Sequence, residues 1–265
     1  MTSGTVVRAE SVQADHTAAG ARVRTLLDSG PVGARLARRL VDVPPGSQLD
    51  GTAGSAGEMW FVIEGTGQLD VDGHPGVAVR PDHGLWVPPG ASYRLHADGL
   101  ADLRLDAVTL PASVLPDTAL PDTALPGATL PDATLEPADG AGPASDQGVP
   151  LACDLRDCEV ETTGDRHFRV LFGPGRGCAV ATQFVGEIPP GRAPDHSHPY
   201  DEVVLVLAGE GVVHVGGAEH AVSPGTCTHL PPGVLHCMEN TGRTTMRVLG
   251  VFHPADSPAA KLEAH

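Results

Sequence analysis

Residues 191–240 read GRAPDHSHPYDEVVLVLAGEGVVHVGGAEHAVSPGTCTHLPPGVLHCMEN. His196 and His198 sit two apart, so on an extended strand both imidazoles face the same way. Glu202 follows with the same parity and opens the apolar run 203–207, which reads as a buried strand. Gly209 and Gly211 mark a tight turn. In the second half Gly225 precedes Pro231-Pro232-Gly233, and His236 follows that turn by three residues. Three imidazoles and one carboxylate on two strand pairs are the donor set of a mononuclear metal site.

At these residues the chain resembles the cupin superfamily. Gly191, His196, His198, Glu202 and Gly209 match the first cupin motif, with a four-residue first gap. Gly225, Pro231, Gly233, His236 and Asn240 match the second without a departure. The resemblance implies a small antiparallel β-barrel with a metal ion inside it. It also implies His196, His198, Glu202 and His236 as ligands, with Asn240 tying down the turn after His236. Cys237 adjoins His236, and strand alternation points it away from the metal.

Working upstream, the same pattern recurs in decayed form between residues 41 and 110. Glu58 falls where Glu202 does, Gly65 and Gly67 where Gly209 and Gly211 do, and Pro88-Pro89-Gly90 where Pro231-Pro232-Gly233 does. Thr52 and Gly54 occupy the first two histidine positions, Tyr93 the third, Asp82 that of Gly225, and Ala97 that of Asn240. One carboxylate does not hold a transition metal, so this half is expected to have lost its ion, with Glu58 solvated at the barrel mouth or bonded to Tyr93. His74, His83 and His96 lie off the ligand positions and read as surface or turn residues. An internal repeat of this kind makes the chain a bicupin.

Between the repeats, leucine recurs every five residues from Leu110 to Leu135, and each but the last is followed by proline. Five is neither a helix nor a strand period, and proline blocks hydrogen bonding in both. This reads as a linker. The expectation is an all-β chain of two cupin-type (double-stranded β-helix, jelly-roll) barrels over 1–109 and 151–265, joined by a Pro/Ala/Leu-rich linker over 110–150. Residues 1–40 read as a lead-in to the first barrel, and the tail from His253 as an ending laid on the surface.

Composition bounds the partners. A formal net charge of −16 argues against nucleic acid and anionic membrane surfaces, which select for basic patches. The start lacks an apolar leader segment, and no run of 18 apolar residues occurs. Five cysteines without a paired Cys-x-x-Cys read as free thiols in a cytoplasmic chain. A small-molecule substrate is expected. The two barrels are expected to cover each other's exposed sheet, or the protein to form a homodimer through its sheet edges.

Four ligands leave roughly two coordination positions open for water, dioxygen or substrate. Mixed nitrogen and oxygen ligation suits Fe(II), Mn, Ni, Zn or Cu, with Fe(II) favoured for oxygen chemistry on an open, carboxylate-bearing site. The resemblance implies a dioxygenase as a frequent outcome. The alternative is a redox-neutral isomerase, cyclase or lyase, which needs a base near the metal, and His214 and His229 are the candidates. Arg169, Arg192 and Arg247 are candidates to hold a substrate carboxylate, Arg169 foremost. A third reading is a non-catalytic small-molecule binder.

Overall fold

A computed structural model of the chain describes residues 4–29, 35–112 and 148–260. The leucine–proline repeat from Leu115 to Leu135 lies outside the described residues, as do the last five positions of the tail. Among the described residues the chain forms twenty-two strands, three single-turn 3-10 helices and no α-helix. Among the described residues, no helix is long and apolar enough to cross a membrane.

The strands make two copies of one plan, a seven-stranded sheet closed by a four-stranded sheet. In the first copy the large sheet runs Ala152–Asp154, His83–Val87, Glu58–Glu64, Leu103–Thr109, Ala37–Val43, Arg22–Leu27 and Asp15–His16. In the second it runs Thr5–Arg8, Thr226–Leu230, Asp201–Ala208, Met246–His253, Thr182–Ile188, Arg166–Phe172 and Glu161–Thr163. The small sheets follow suit, as Gln48–Thr52, Ser92–Ala97, Gly67–Val71, Val77–Val79 and as Gly191–Arg192, His236–Asn240, Gly211–Val215, Ala218–Val222. Matching strands thus occupy matching places, as the decayed repeat requires.

Single residues carry the same correspondence. A Cβ added at Gly67 would lie 2.2 Å from the His96 carbonyl oxygen, and one at Gly211 would lie 2.1 Å from that of Glu239. Both positions exclude a side chain for the same reason, a close approach of the neighbouring strand. Asp82, standing in for Gly225, keeps its left-handed backbone, with φ of 67° against 86°. Aspartate tolerates that region better than most residues, so the turn outlived its glycine.

The near-continuous apolar runs form strands buried on both faces. Val204 and Val206 point into the second barrel. Val203 and Leu205 point the other way, into a third core shared with Met59, Phe61 and Trp86 of the first barrel. Trp60 and Val62 alternate inward in the first barrel. The two large sheets therefore pack face to face, and the expectation that the barrels cover each other holds. At this seam the side chains of Arg38 and Asp106 are both 0% exposed and paired at 2.7 Å, while Arg38 Nη2 also donates to the Leu249 carbonyl at 3.2 Å.

Two edge strands depart from the boundaries expected at 109 and 151. Thr5–Arg8 pairs with Thr226–Leu230 of the second barrel, not with the first barrel that it precedes. Ala152–Asp154 pairs with His83–Val87 of the first barrel. Each covers an otherwise open sheet edge. Val6 packs against the second barrel's interior, and Val7 and Ala9 against the shared core.

Candidate metal centre

The second barrel gathers the motif residues. His196 forms a bridge to His236, with both backbone N–H···O distances 2.9 Å, and this pairing brings the two motifs together. Glu202 faces inward on Asp201–Ala208, with the parity of Val204 and Val206. One donor atom from each of His196, His198 and His236 lies within 4.8 Å of the others. The Glu202 carboxylate stands beside them, with Oε2 3.7 Å from His198 Nε2.

Backbone carbonyls set the three rings. His196 Nδ1 lies 3.0 Å from the Pro194 oxygen, His198 Nδ1 2.6 Å from that of Ala260, and His236 Nδ1 2.8 Å from that of Val234. A carbonyl only accepts, so each Nδ1 carries the proton and the lone pair sits on Nε2, the arrangement a metal ligand needs. Burial pushes the His236 pKa down to about 3, helped by its two imidazole neighbours, so it is neutral at pH 7. Burial pushes Glu202 up to about 8, with Asp201 adding to the rise and Arg38 opposing it. Three imidazoles, each with Nδ1 turned to a carbonyl, and a carboxyl that a cation would ionise fit one divalent transition ion.

The cluster lines a cavity of about 230 Å³. Phe168, Phe184, Ile188, Val204, Leu230 and Val248 supply its apolar wall. Arg166, half-buried, lies on the wall and anchors itself by donating from Nη2 to the Met238 carbonyl at 2.9 Å. The remaining charged or titratable groups are peripheral: Asp165 and His167 are exposed, and Glu187 is paired with Arg169 at 3.1 Å.

The other candidates lie elsewhere. His214 is not on the cavity, because Val213 and Val215 take the inward positions; it contacts Glu239 at 2.9 Å and Glu219 at 3.3 Å. His229 shares the parity of Cys227 on the shared-core face and bonds Asp201 at 2.6 Å. Arg169 is held by Glu187, Arg192 by Asp195 and Arg247 by Asp82, and none lines the cavity. Arg166 shares the parity of Phe168, which lines the cavity, and Arg169 takes the opposite face; alternation separates the two arginines, but only the packed sheet decides which of them turns inward. The tail contributes more than surface cover. Pro258 lines the cavity, and the Ala260 carbonyl orients His198.

In the first barrel Glu58 is neither solvated nor bonded to Tyr93. It is buried, accepting from Trp60 Nε1 at 2.7 Å, Arg39 at 3.0 Å and Thr109 at 3.1 Å. Trp60 packs edge-on against Tyr93, centroids 4.7 Å apart, so aromatic side chains occupy the interior there. Among the described residues, no metal-sized cluster occurs in that barrel. His83 is buried rather than a surface residue, 3.4 Å from Asp154 on the exchanged strand, because that strand covers it. His74 and His96 are exposed as expected.

Residues 184–252 match the family model described as a cupin domain. No curated protein matches the chain. Among solved structures, a mutant of oxalate decarboxylase from Bacillus subtilis superposes with a TM-score of 0.73 at 15% identity, covering 99% of this chain and 80% of that one. The protein Ylba from E. coli superposes with a TM-score of 0.69 at 11% identity, covering 96% and 92%. At these identities the likeness concerns the fold.

Proposed function

We propose that this chain, which has the two-barrel fold of the cupin superfamily, is a mononuclear metal-dependent enzyme acting on a small oxygen-bearing organic molecule. His196, His198, Glu202 and His236 would hold the ion. Our first reading is an Fe(II)-type dioxygenase. The observation that carries it is the cavity itself: four donors share it with an apolar wall, and its remaining titratable groups are exposed or ion-paired. Redox-neutral chemistry needs a positioned base, and neither His214 nor His229 reaches the cavity. An ion held there would supply Lewis acidity and, where it is iron, electrons for dioxygen.

The chain's own residues do the rest. Phe168, Phe184 and Val248 would give a bound substrate an apolar wall. Arg166 presents a fixed positive group to a substrate carboxylate. A volume of about 230 Å³ admits a compact molecule and falls below the range of drug-sized pockets, about 300–1,000 Å³. The second reading is a redox-neutral lyase on a small carboxylate, favoured by Arg166 on the wall and by the fold shared with a protein named as a decarboxylase.

Metal content by plasma mass spectrometry, on protein purified without an affinity tag, tests the site beside His196→Ala. About one ion per chain, lost in the variant, supports it. Dioxygen consumption with enolic, phenolic and small carboxylate substrates then separates the chemistries. Product formed without oxygen uptake moves the assignment to the lyase, and binding without turnover to a non-catalytic binder. Arg166→Met should raise KM for a carboxylate substrate about ten- to a hundred-fold at unchanged metal content, the loss of one charged hydrogen bond.

A further inference from the structure

Outside the metal cavity, the segment that opens the second half of the chain brings two sulfurs together. Cys153, on the exchanged strand Ala152–Asp154, and Cys158, after the 3-10 turn Leu155–Asp157, lie 3.5 Å apart from Sγ to Sγ. Arg176 Nη1 reaches Cys153 Sγ at 3.3 Å, and Cys158 Sγ lies 3.5 Å from the Asp154 carbonyl oxygen. Both side chains are buried, 7% and 6% exposed. Arg176 and Asp157 line an open cleft with Glu159, Pro174 and Asp256.

We infer that Cys153 and Cys158 are a redox modification site, a dithiol that a hydroperoxide oxidises reversibly to a disulfide, with Cys153 attacking and Cys158 resolving. The geometry assigns the roles. The Cys158 sulfur, where either thiol can donate, and the Arg176 guanidinium at 3.3 Å both hold the Cys153 pKa below the ordinary thiol value. Cys158 faces that developing negative charge and a carbonyl, so its thiol stays protonated. Burial drives Cys227 the other way, up to about 12, with Arg38 opposing and Asp106 adding to the rise, and burial also raises Cys237.

The chemistry balances with the hydroperoxide as the sole co-reactant. The Cys153 thiolate attacks the O–O bond, which breaks to release alkoxide or hydroxide and leaves a sulfenic acid. The Cys158 sulfur then displaces hydroxide from that sulfur; its proton leaves in the released water, and the S–S bond forms. Two thiols are oxidised and one peroxide bond is reduced. The separation must shorten from 3.5 Å to about 2.05 Å, a movement within reach of the single turn between the residues. That turn lies between the strand paired to the first barrel and the hairpin strands Glu161–Thr163 and Arg166–Phe172, whose Thr163 and Arg166 line the metal cavity. The dithiol therefore sits where the chain passes from one barrel to the other.

Wild-type protein treated with equimolar hydrogen peroxide, quenched and unfolded, tests the pairing without a variant. Five titratable thiols should fall to three. The Cys153 and Cys158 peptides should be cross-linked, about 2 Da lighter than their sum, and dithiothreitol should restore all five thiols. Cys158→Ser should stop at a sulfenic acid on Cys153 that dimedone traps. Retention of five thiols, a first loss at Cys178, Cys227 or Cys237, or over-oxidation of Cys153 in wild type would overturn the inference. The readout is independent of metal and turnover.

Discussion

Asp106→Asn puts the seam between the barrels to a quantitative test. The carboxylate accepts from Arg38 at 2.7 and 3.0 Å, and neither side chain is exposed. The amide keeps one acceptor but leaves a buried guanidinium with no counter-charge. Breaking one partner of such a pair costs about 3–5 kcal/mol, several times the loss of an exposed pair. At about 2–4 °C per kcal/mol for a chain of this size, the unfolding midpoint should fall by roughly 6–20 °C. Urea unfolding followed by tryptophan fluorescence suits the question, because both tryptophans, Trp60 and Trp86, are buried in the first barrel and Trp86 packs at the seam. Arg38→Met combined with Asp106→Leu removes both charges and should recover most of the loss. A cost below about 1 kcal/mol for Asp106→Asn, at unchanged denaturant slope, would show that the pair is hydrated and refute the reasoning.

The remaining predictions concern the second barrel. Adding Fe(II) or Mn(II) to chelator-stripped protein at about a hundred times Kd should stabilise it by about 2.7 kcal/mol, read by scanning fluorimetry, and His198→Ala should abolish the shift. Without metal, the raised pKa of Glu202 means that the folded chain holds a proton which the unfolded chain releases between about 4.5 and 8. Stability from this group is present below that window and lost as pH rises through it, so wild type should lose more stability than Glu202→Gln between pH 5 and 7.5; equal pH dependence would contradict the burial argument. Deleting residues 1–8 uncovers the edge of Thr226–Leu230 and removes Val6 and Val7 from two cores. It should destabilise the chain by about 2–4 kcal/mol and promote self-association, measured by urea unfolding and light scattering.

Local sequence determined the strands, the duplication and the candidate donor set. His196, His198, Glu202 and His236 are legible because strand parity is a two-residue rule and the glycine turns are set by backbone sterics within a few positions. Even the decayed half is legible, since Gly67 repeats the close approach of Gly211 and Asp82 repeats the left-handed turn of Gly225. Tertiary structure decided everything that depends on which edge a strand finds and which face is covered. Thr5–Arg8 and Ala152–Asp154 join the barrel remote from their sequence neighbours, because an open sheet edge is satisfied by any strand that reaches it. Arg166 rather than Arg169 meets the cavity because packing decides which face of its strand turns inward, and Ala260 orients His198 across sixty-two residues. Cys153 and Cys158 read as two separate thiols in sequence, and a single turn placed against Arg176 makes them a pair.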